Sequence, residues 1–539
     1  MGINSNLCLQ VLDQLKTWGV QVVCVCPGSR NAPLLVCLLE KVKDFQVFYF
    51  YEERSAAFFA LGKIRNLRQP VAVMTTSGTA AGELLPATME AYYSGAPLIL
   101  VTADRPRAYR GSGAPQAAEQ VGLFGSYVSC CIDLEGEEQS LFEGFSHTQP
   151  YHINVCFEEP LLDLEPLCFE RPCLARVNQD LRSDDGEASQ RMRKFLNSVK
   201  RPFILVGLLQ PQERSSVKQL LMKWRVPVYL ESLSGLRECE ELQSFRVSFP
   251  DRLIQRAQDE GCLMDGVIRI GGVPTLRFWR DLESKYTQLA VLSVTRLPFS
   301  GLARESVLVV GEISHLMNSL GQCLNFQGEE IQADLQFLFK ADHLEKKHLF
   351  ELLDSEPFSE PALISALSRQ IPRGSKIYLG NSLPIREWDL AATSVDRNFD
   401  VWASRGLNGI DGQVSTFLGF AESESQNWLI LGDLTALYDL PGPWILSQLL
   451  KTSVHLVVVN NGGGKIFSRM YSQKEFQNRH QLRFQGWADL WGLSYEQWHQ
   501  VPQTLQSDFD DPTVVVHRLI ELLPDEEATD RFWKKFQAV

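Results

Sequence analysis

Short apolar runs closed by polar or glycine-rich turns recur along the whole chain. Between residues 20 and 105 one unit repeats. Val20-Gln-Val-Val-Cys-Val-Cys runs into Pro27-Gly-Ser-Arg-Asn-Ala-Pro33, and Gln46-Val-Phe-Tyr-Phe-Tyr runs into Glu52-Glu53-Arg54 and a helix-like Ser55-Ala-Ala-Phe-Phe-Ala-Leu-Gly. Val71-Ala-Val-Met then leads to Thr75-Thr-Ser-Gly-Thr-Ala, and Pro97-Leu-Ile-Leu-Val-Thr ends in Ala103-Asp-Arg105-Pro106. Runs this short and this apolar read as strands buried on both faces, and their alternation with helical stretches predicts βαβ units on a parallel sheet. A second series begins at Pro202, Val226, Gly266, Leu289 and Ser306, and a third gives strands near 376, 400, 428, 454 and 513. The prediction is an α/β chain of three parallel-sheet domains, 1–182, 190–340 and 355–539. The polar run 183–189 (Ser-Asp-Asp-Gly-Glu-Ala-Ser) is expected to be a linker, and the chain turns polar again around 340–360. The middle series has few polar strand ends, so it is expected to be a scaffold without cofactor.

Composition narrows the class. The chain has 539 residues, 45% hydrophobic and 22% charged, as in soluble globular proteins. It contains no apolar run long enough to span a membrane and no signal-peptide pattern, and Asn6 breaks a myristoylation start, so the cytoplasm is expected. The formal net charge of -13 argues against nucleic acid and anionic membrane surfaces. Twelve cysteines lie scattered without Cys-x-x-Cys spacing, as expected of reduced, buried thiols.

The densest chemistry lies between Gly432 and Phe467. Trp428-Leu-Ile-Leu-Gly-Asp433 and Val454-His-Leu-Val-Val-Val-Asn460-Asn461-Gly-Gly-Gly-Lys-Ile-Phe467 are two apolar runs that both end in oxygen-bearing side chains and glycine. In an open parallel sheet such ends line one crevice. A carboxylate and an amide oxygen brought there suit Mg²⁺ holding a phosphorylated cofactor, and glycines let the backbone approach it. Gly462-Gly-Gly-Lys465 is not a P-loop, because Ile466 stands where Ser or Thr is needed.

This pair of runs resembles the thiamine diphosphate motif, with Leu434 in place of its third glycine. The resemblance sharpens over Pro27–Pro33, Glu53-Arg54, Thr76–Ala80, Leu98–Pro106, Gly113-Ala-Pro-Gln116 and His152–Pro160. It continues through Gly380-Asn-Ser382, Arg405-Gly-Leu-Asn-Gly-Ile410-Asp-Gly, Gly432-Asp-Leu-Thr-Ala-Leu-Tyr-Asp and Ile466-Phe467. Together these blocks are similar to the 2-succinyl-5-enolpyruvyl-6-hydroxy-3-cyclohexene-1-carboxylate synthases of menaquinone or phylloquinone biosynthesis. The likeness is weakest over 185–340 and after 470.

The resemblance implies thiamine diphosphate with Mg²⁺ (Mn²⁺ possible) as cofactors and 2-oxoglutarate and isochorismate as substrates. It also implies decarboxylation followed by a Stetter-like 1,4-addition of the succinyl carbanion equivalent. Glu53 would bond the cofactor's pyrimidine nitrogen. The run Phe48-Tyr-Phe-Tyr-Glu-Glu cannot itself choose between Glu52 and Glu53, but the family's Glu-Arg order favours Glu53. Ile410 would prop the bent cofactor, and Gly432, Ile466 and Phe467 would border it. Asp433 would carry the metal; aligning from Ile466-Phe467 adds Asn461 and Gly463, whereas counting from Asp433 gives Asn460 and Gly462. The nearer anchor favours Asn461. Arginine suits multiply anionic substrates, and Arg30, Arg105, Arg386 and Arg405 match family arginines, with Arg30 and Arg405 also placed at the catalytic centre. Ser29, Gln116 and Ser382 would assist them. Arg277 corresponds to a family basic residue, although Leu276 departs from the usual Lys. Apart from His152, no histidine lies in the matching blocks. Because Glu53 and Asp433 fall in different domains and the family builds its site between subunits, a homodimer or homotetramer is expected. The alternatives are a pyruvate-using thiamine diphosphate enzyme and a non-catalytic relative.

Overall fold

The computed structural model describes residues 3–40, 44–136, 144–162, 185–259, 264–323, 326, 329–468, 470–471, 473–505 and 515–537. They form three sheets of six, five and six strands, in which every strand pair is parallel. In the first sheet the strands lie in the order Gln46–Tyr49, Val22–Val25, Val71–Thr75, Leu98–Asp104, Tyr151–Cys156, Cys131–Glu135. The second runs Val307–Val310, Ala290–Thr295, Gly266–Ile270, Pro202–Val206, Val228–Leu230. The third runs Asp400–Trp402, Lys376–Leu379, Gln426–Gly432, Ser453–Val459, His517–Leu522, Ser494–Trp498. The three-sheet α/β architecture read from the apolar runs is therefore the observed one. The last strand of the chain begins at His517, and position 513, where it was expected, lies outside the described residues.

Each sheet order places a topological switch where successive connections leave in opposite directions, and this is where a crevice opens beyond the strand ends. In the third sheet it falls between Lys376–Leu379 and Gln426–Gly432. The two strand ends approach so closely that a Cβ on Gly380 would stand 2.8 Å from Leu431 Cα. In the first sheet it falls between Val22–Val25 and Val71–Thr75, where a Cβ on Gly28 would meet Thr76 Cβ at 2.5 Å. Both close approaches are possible only at glycine.

One apolar cluster runs through the first and third units, joining Val22, Phe58 and Phe59 to Phe417, Leu429 and Leu456. Its seam is the crossing of helix Glu53–Leu67 with helix Gln413–Phe420. The backbones touch there because both helices carry glycine at the crossing. A Cβ on Gly62 would lie 2.1 Å from Thr416 O, and one on Gly419 would lie 2.0 Å from Phe59 O. Gly419→Ala should therefore destabilise the protein by about 1–3 kcal/mol or more through overpacking. Chemical denaturation of the variant beside the wild type measures this, and an unchanged midpoint would contradict it.

Two polar stretches behave differently from their composition. Residues 183–184 lie outside the described residues, but the expected linker is helical from Asp185, within helix Asp185–Ser198. The reason is the apolar stripe that follows: Met192, Phe195, Leu196 and Val199 are buried at helical spacing against the second sheet. Likewise, helix Glu329–Ser355 runs unbroken through most of the polar 340–360 stretch. It is followed by helix Glu360–Gln370, whose first turn is capped by Ser359 Oγ accepting from Ala362 N–H.

Candidate active site

A cavity of about 1550 Å³ opens at the switch point of the third sheet. Strand Gln426–Gly432 delivers Asp433 there as the first residue of a short helix, Asp433–Tyr438. The carboxylate is 2% exposed. Its Oδ1 accepts from Leu434 N–H at 2.6 Å, and its Oδ2 accepts from the Gly462 and Gly463 N–H groups at 2.9 Å each. His480 Nε2 stands 3.3 Å from the same oxygen. Burial pushes the Asp433 carboxyl upward, opposed by the Gly463 N–H and the His480 charge.

The two asparagines that end strand Ser453–Val459 have different surroundings. Asn460 Nδ2 donates to Leu482 O at 2.9 Å and to Glu521 Oε1 at 2.6 Å, and its Oδ1 accepts from Gly462 N–H at 3.3 Å. That side chain is committed to the interior. Asn461 lines the cavity beside Asp433 and Gly463; its Nδ2 donates to Glu360 Oε2 at 2.9 Å, while its Oδ1 is buried without a hydrogen-bond partner. Gly463 has φ +135, and a Cβ there would meet Gln477 O at 2.5 Å, so the loop requires glycine. A bare amide oxygen, a carboxylate and a glycine backbone in one crevice are hard oxygen donors that fit a divalent cation. Gly432, Ile466 and Phe467 line the same space.

The same cavity lining carries positive charge. Ser382, Arg386, Arg405 and Ile410 all line the cavity. Arg405 donates to Asn381 Oδ1 at 2.9 Å, and its Nε is buried without a partner. Arg386 donates to Ser382 O at 2.5 Å; burial, then the charges of Arg405 and Arg280, push its pKa down. Ser382 holds φ +75, a strained value that aims the turn after strand Lys376–Leu379.

Arg277 is not brought to this cavity. Its side chain is 82% exposed and pairs with Asp281 at 3.6 Å. It starts the short helix Arg277–Asp281, which is fixed by Asp251 accepting from the Arg277 and Phe278 N–H groups and by burial of Phe278 and Trp279. That seating turns Arg277 outward and leaves Arg280, with Arg269 and Arg296, on the cavity wall. The middle unit thus forms part of the cavity, which its sparse polar strand ends did not announce. Glu90 and Glu360 also line it without having been singled out in the sequence. Glu360 is the acid of a Ser-Glu-Pro helix start, where a first-turn acid is ordinary and signals nothing further.

The remaining predicted residues gather at the carboxyl edge of the first sheet, outside this cavity. Glu52 caps helix Glu53–Leu67, accepting from Ser55 N–H at 2.8 Å. The adjacent Glu53 carboxyl is half-buried, and burial, with the negative charges of Glu52 and Glu83, raises its pKa. Arg30 is buried, donating to Phe157 O at 3.3 Å and pairing with Glu159 at 3.0 Å. Arg105 Nε donates to Pro115 O at 3.0 Å, while Ser29 and Gln116 are exposed, Gln116 at φ +55. Arg65, on the helix that Glu53 begins, does line the cavity. Twelve residues of helix put the two about 18 Å apart along its axis. Glu53 is not part of the lining that Asp433 shares, so within one chain the two are not brought to one cavity.

Comparison with known proteins places this geometry. Residues 6–123 match the family described as thiamine pyrophosphate enzyme, N-terminal TPP binding domain. The fold is similar to the crystal structure of benzoylformate decarboxylase from Polynucleobacter necessarius, with a TM-score of 0.74 at 15% identity over 96% of this chain and 98% of that one. A 2-succinyl-5-enolpyruvyl-6-hydroxy-3-cyclohexene-1-carboxylate synthase from Akkermansia muciniphila is 38% identical over 98% of both chains. The enzyme of that name from Bdellovibrio bacteriovorus is 42% identical over 99% of this chain and 98% of its own. Identity at that level, sustained from end to end, means that this chain belongs to the 2-succinyl-5-enolpyruvyl-6-hydroxy-3-cyclohexene-1-carboxylate synthase family.

Proposed function

We propose that this chain decarboxylates 2-oxoglutarate and joins its succinyl portion to isochorismate by a Stetter-like 1,4-addition, releasing CO₂. The observation that carries this reading is the pairing, across one crevice, of the Asp433–Asn461–Gly463 oxygen donors with the Ser382, Arg386 and Arg405 wall. The orphaned Asn461 Oδ1 and the glycine-only backbone at 463 fit Mg²⁺ or Mn²⁺ and a diphosphate. Asp433, Asn461 and the Gly463 carbonyl would hold the metal, with Gly432, Ile410, Ile466 and Phe467 around the organic part. Thiamine diphosphate, when bound, supplies the carbanion chemistry that no amino-acid side chain can.

The chain's own residues do the rest. The Glu53 carboxyl of a second copy holds a proton at the pyrimidine nitrogen. Arg386 and Arg405 hold substrate carboxylates with Ser382, and Arg30, Arg105, Ser29 and Gln116 meet them from the second copy. Arg277, exposed in the single chain, is available only to a ligand that reaches that outer surface. The separation of Glu53 from Asp433 within one chain supports a homodimer or homotetramer with sites between subunits. The division into 1–182, 190–340 and 355–539 belongs to the same reading. Among the described residues, no helix is long and apolar enough to cross a membrane. The buried thiols of Cys24 and Cys26 fit the reducing cytoplasm.

The reading is tested by supplying thiamine diphosphate and Mg²⁺ with 2-oxoglutarate or pyruvate, with and without isochorismate, and following CO₂ and the coupled product. Preference for 2-oxoglutarate and coupling to isochorismate are expected. Preference for pyruvate, or no turnover of either acid, would overturn it.

A further inference from the structure

The loop that carries Arg405 and Ile410 is held by a residue from another part of the chain. Glu90, in helix Leu85–Ser94 of the first unit, is 5% exposed. Its Oε1 accepts from Gly406 N–H and its Oε2 from Leu407 N–H, each at 2.7 Å. A Cβ on Gly406 would lie 2.6 Å from Glu90 O and 2.9 Å from its carboxylate, so helix and loop are in direct backbone contact. Both oxygens are thus spent on consecutive amides of a loop that otherwise leans on Asn381, which donates to Ser404 O at 3.0 Å and Gly409 O at 2.8 Å.

We propose that Glu90 is a positioning residue: its twin backbone bonds set the 405–410 loop so that Arg405 and Ile410 face the cavity. The inference rests on the site assignment above for the roles of those two residues, but the clamp itself is a property of the unliganded chain. An acid is needed because both acceptors must be strong. A glutamine offers one carbonyl oxygen and turns an N–H donor toward the second amide, leaving that amide unsatisfied.

The clamp is also sensitive to protons. Burial raises the Glu90 carboxyl to about 7, opposed by the Leu407 and Gly406 N–H groups. The charged or titratable groups facing it are Arg405, which favours the ionised form, and Asp411, which disfavours it, both from the loop, with Tyr378 from the adjoining strand. Helix Glu53–Leu67 contributes the apolar Phe58 beside it. As pH falls through about 7, one oxygen becomes a hydroxyl and a poor acceptor, so the loop loses one of its two bonds.

The test compares wild type with Glu90→Gln by hydrogen exchange of the 404–411 peptide between pH 6 and 8.5, corrected for intrinsic exchange. Steady-state kinetics are run over the same range. Wild-type loop protection is expected to fall about tenfold toward pH 6. Glu90→Gln should show the low protection throughout, with kcat/KM for 2-oxoglutarate down at least tenfold and its acid inflection gone. Thiamine diphosphate affinity, measured by calorimetry, should stay within about threefold. Glu90→Asp, which keeps the charge but shortens the reach, should recover part of the high-pH protection. Equal loop protection in wild type and Glu90→Gln at pH 8 overturns the proposal. So does an acid inflection retained in Glu90→Gln. If the wild type itself neither binds the cofactor nor turns over 2-oxoglutarate, the site assignment fails instead, while the exchange data still decide whether Glu90 holds the loop.

Discussion

Glu53→Gln is expected to lower kcat by about 10³-fold, within the range for losing a proton-handling carboxyl, and to leave the melting temperature unchanged. The two halves of that result have separate causes. Glutamine keeps the shape and polarity of the side chain but cannot hold a titratable proton against a ring nitrogen. Stability is spared because the helix start depends on Glu52, which accepts from Ser55 N–H. Glu52→Ala is accordingly the matched control. Losing an N-cap should cost about 1 kcal/mol and leave most of the turnover intact. Denaturation curves and single-turnover kinetics on the two variants distinguish the neighbouring acids. Full activity in Glu53→Gln, or loss confined to Glu52→Ala, would remove Glu53 from the chemistry.

A second pair should separate as sharply. Asn461→Ala deletes an amide oxygen that has no protein partner together with a single bond to Glu360 Oε2, so beyond the cost of that one bond its main effect should be on Mg²⁺-dependent cofactor binding, weakened by about 100-fold or more, as expected for loss of a metal ligand or its support. Asn460→Ala removes one of the donors to the fully buried Glu521, and with it the bond to Leu482 O, leaving both acceptors short of a partner. Hydrogen bonds to charged groups contribute about 1.5–3 kcal/mol, so this variant should unfold at clearly lower denaturant. Calorimetric titration with thiamine diphosphate and Mg²⁺, beside chemical denaturation, gives both readouts. If Asn460→Ala lost metal-dependent binding and Asn461→Ala kept it, the assignment of the two asparagines would be reversed.

These pairs show where reading a chain in one dimension stops. Neighbouring residues such as Glu52 and Glu53, or Asn460 and Asn461, share composition, hydropathy and distance from their strand. Their roles part only when one side chain is claimed by something local: a helix N-terminus for Glu52, the Glu521 carboxylate for Asn460. Arg277 and Arg280 divide in the same way, because Phe278 and Trp279 insert into the core and fix which arginine reaches the cavity wall. Glu90 carries no motif at all. It matters because helix Leu85–Ser94 meets a loop more than three hundred positions later, and no periodicity records that encounter.

The apolar runs and their polar ends were enough to determine three parallel α/β sheets and the polar turns at their strand ends, because burial on both faces and glycine at a close turn are requirements that each segment meets by itself. Only the folded chain decided which oxygen of a doublet is left bare, which arginines wall the cavity, and that Glu53 is not part of the lining that Asp433 shares. Those outcomes depend on competition for hydrogen-bond partners and on packing between segments hundreds of residues apart, and neither is a property of any one segment.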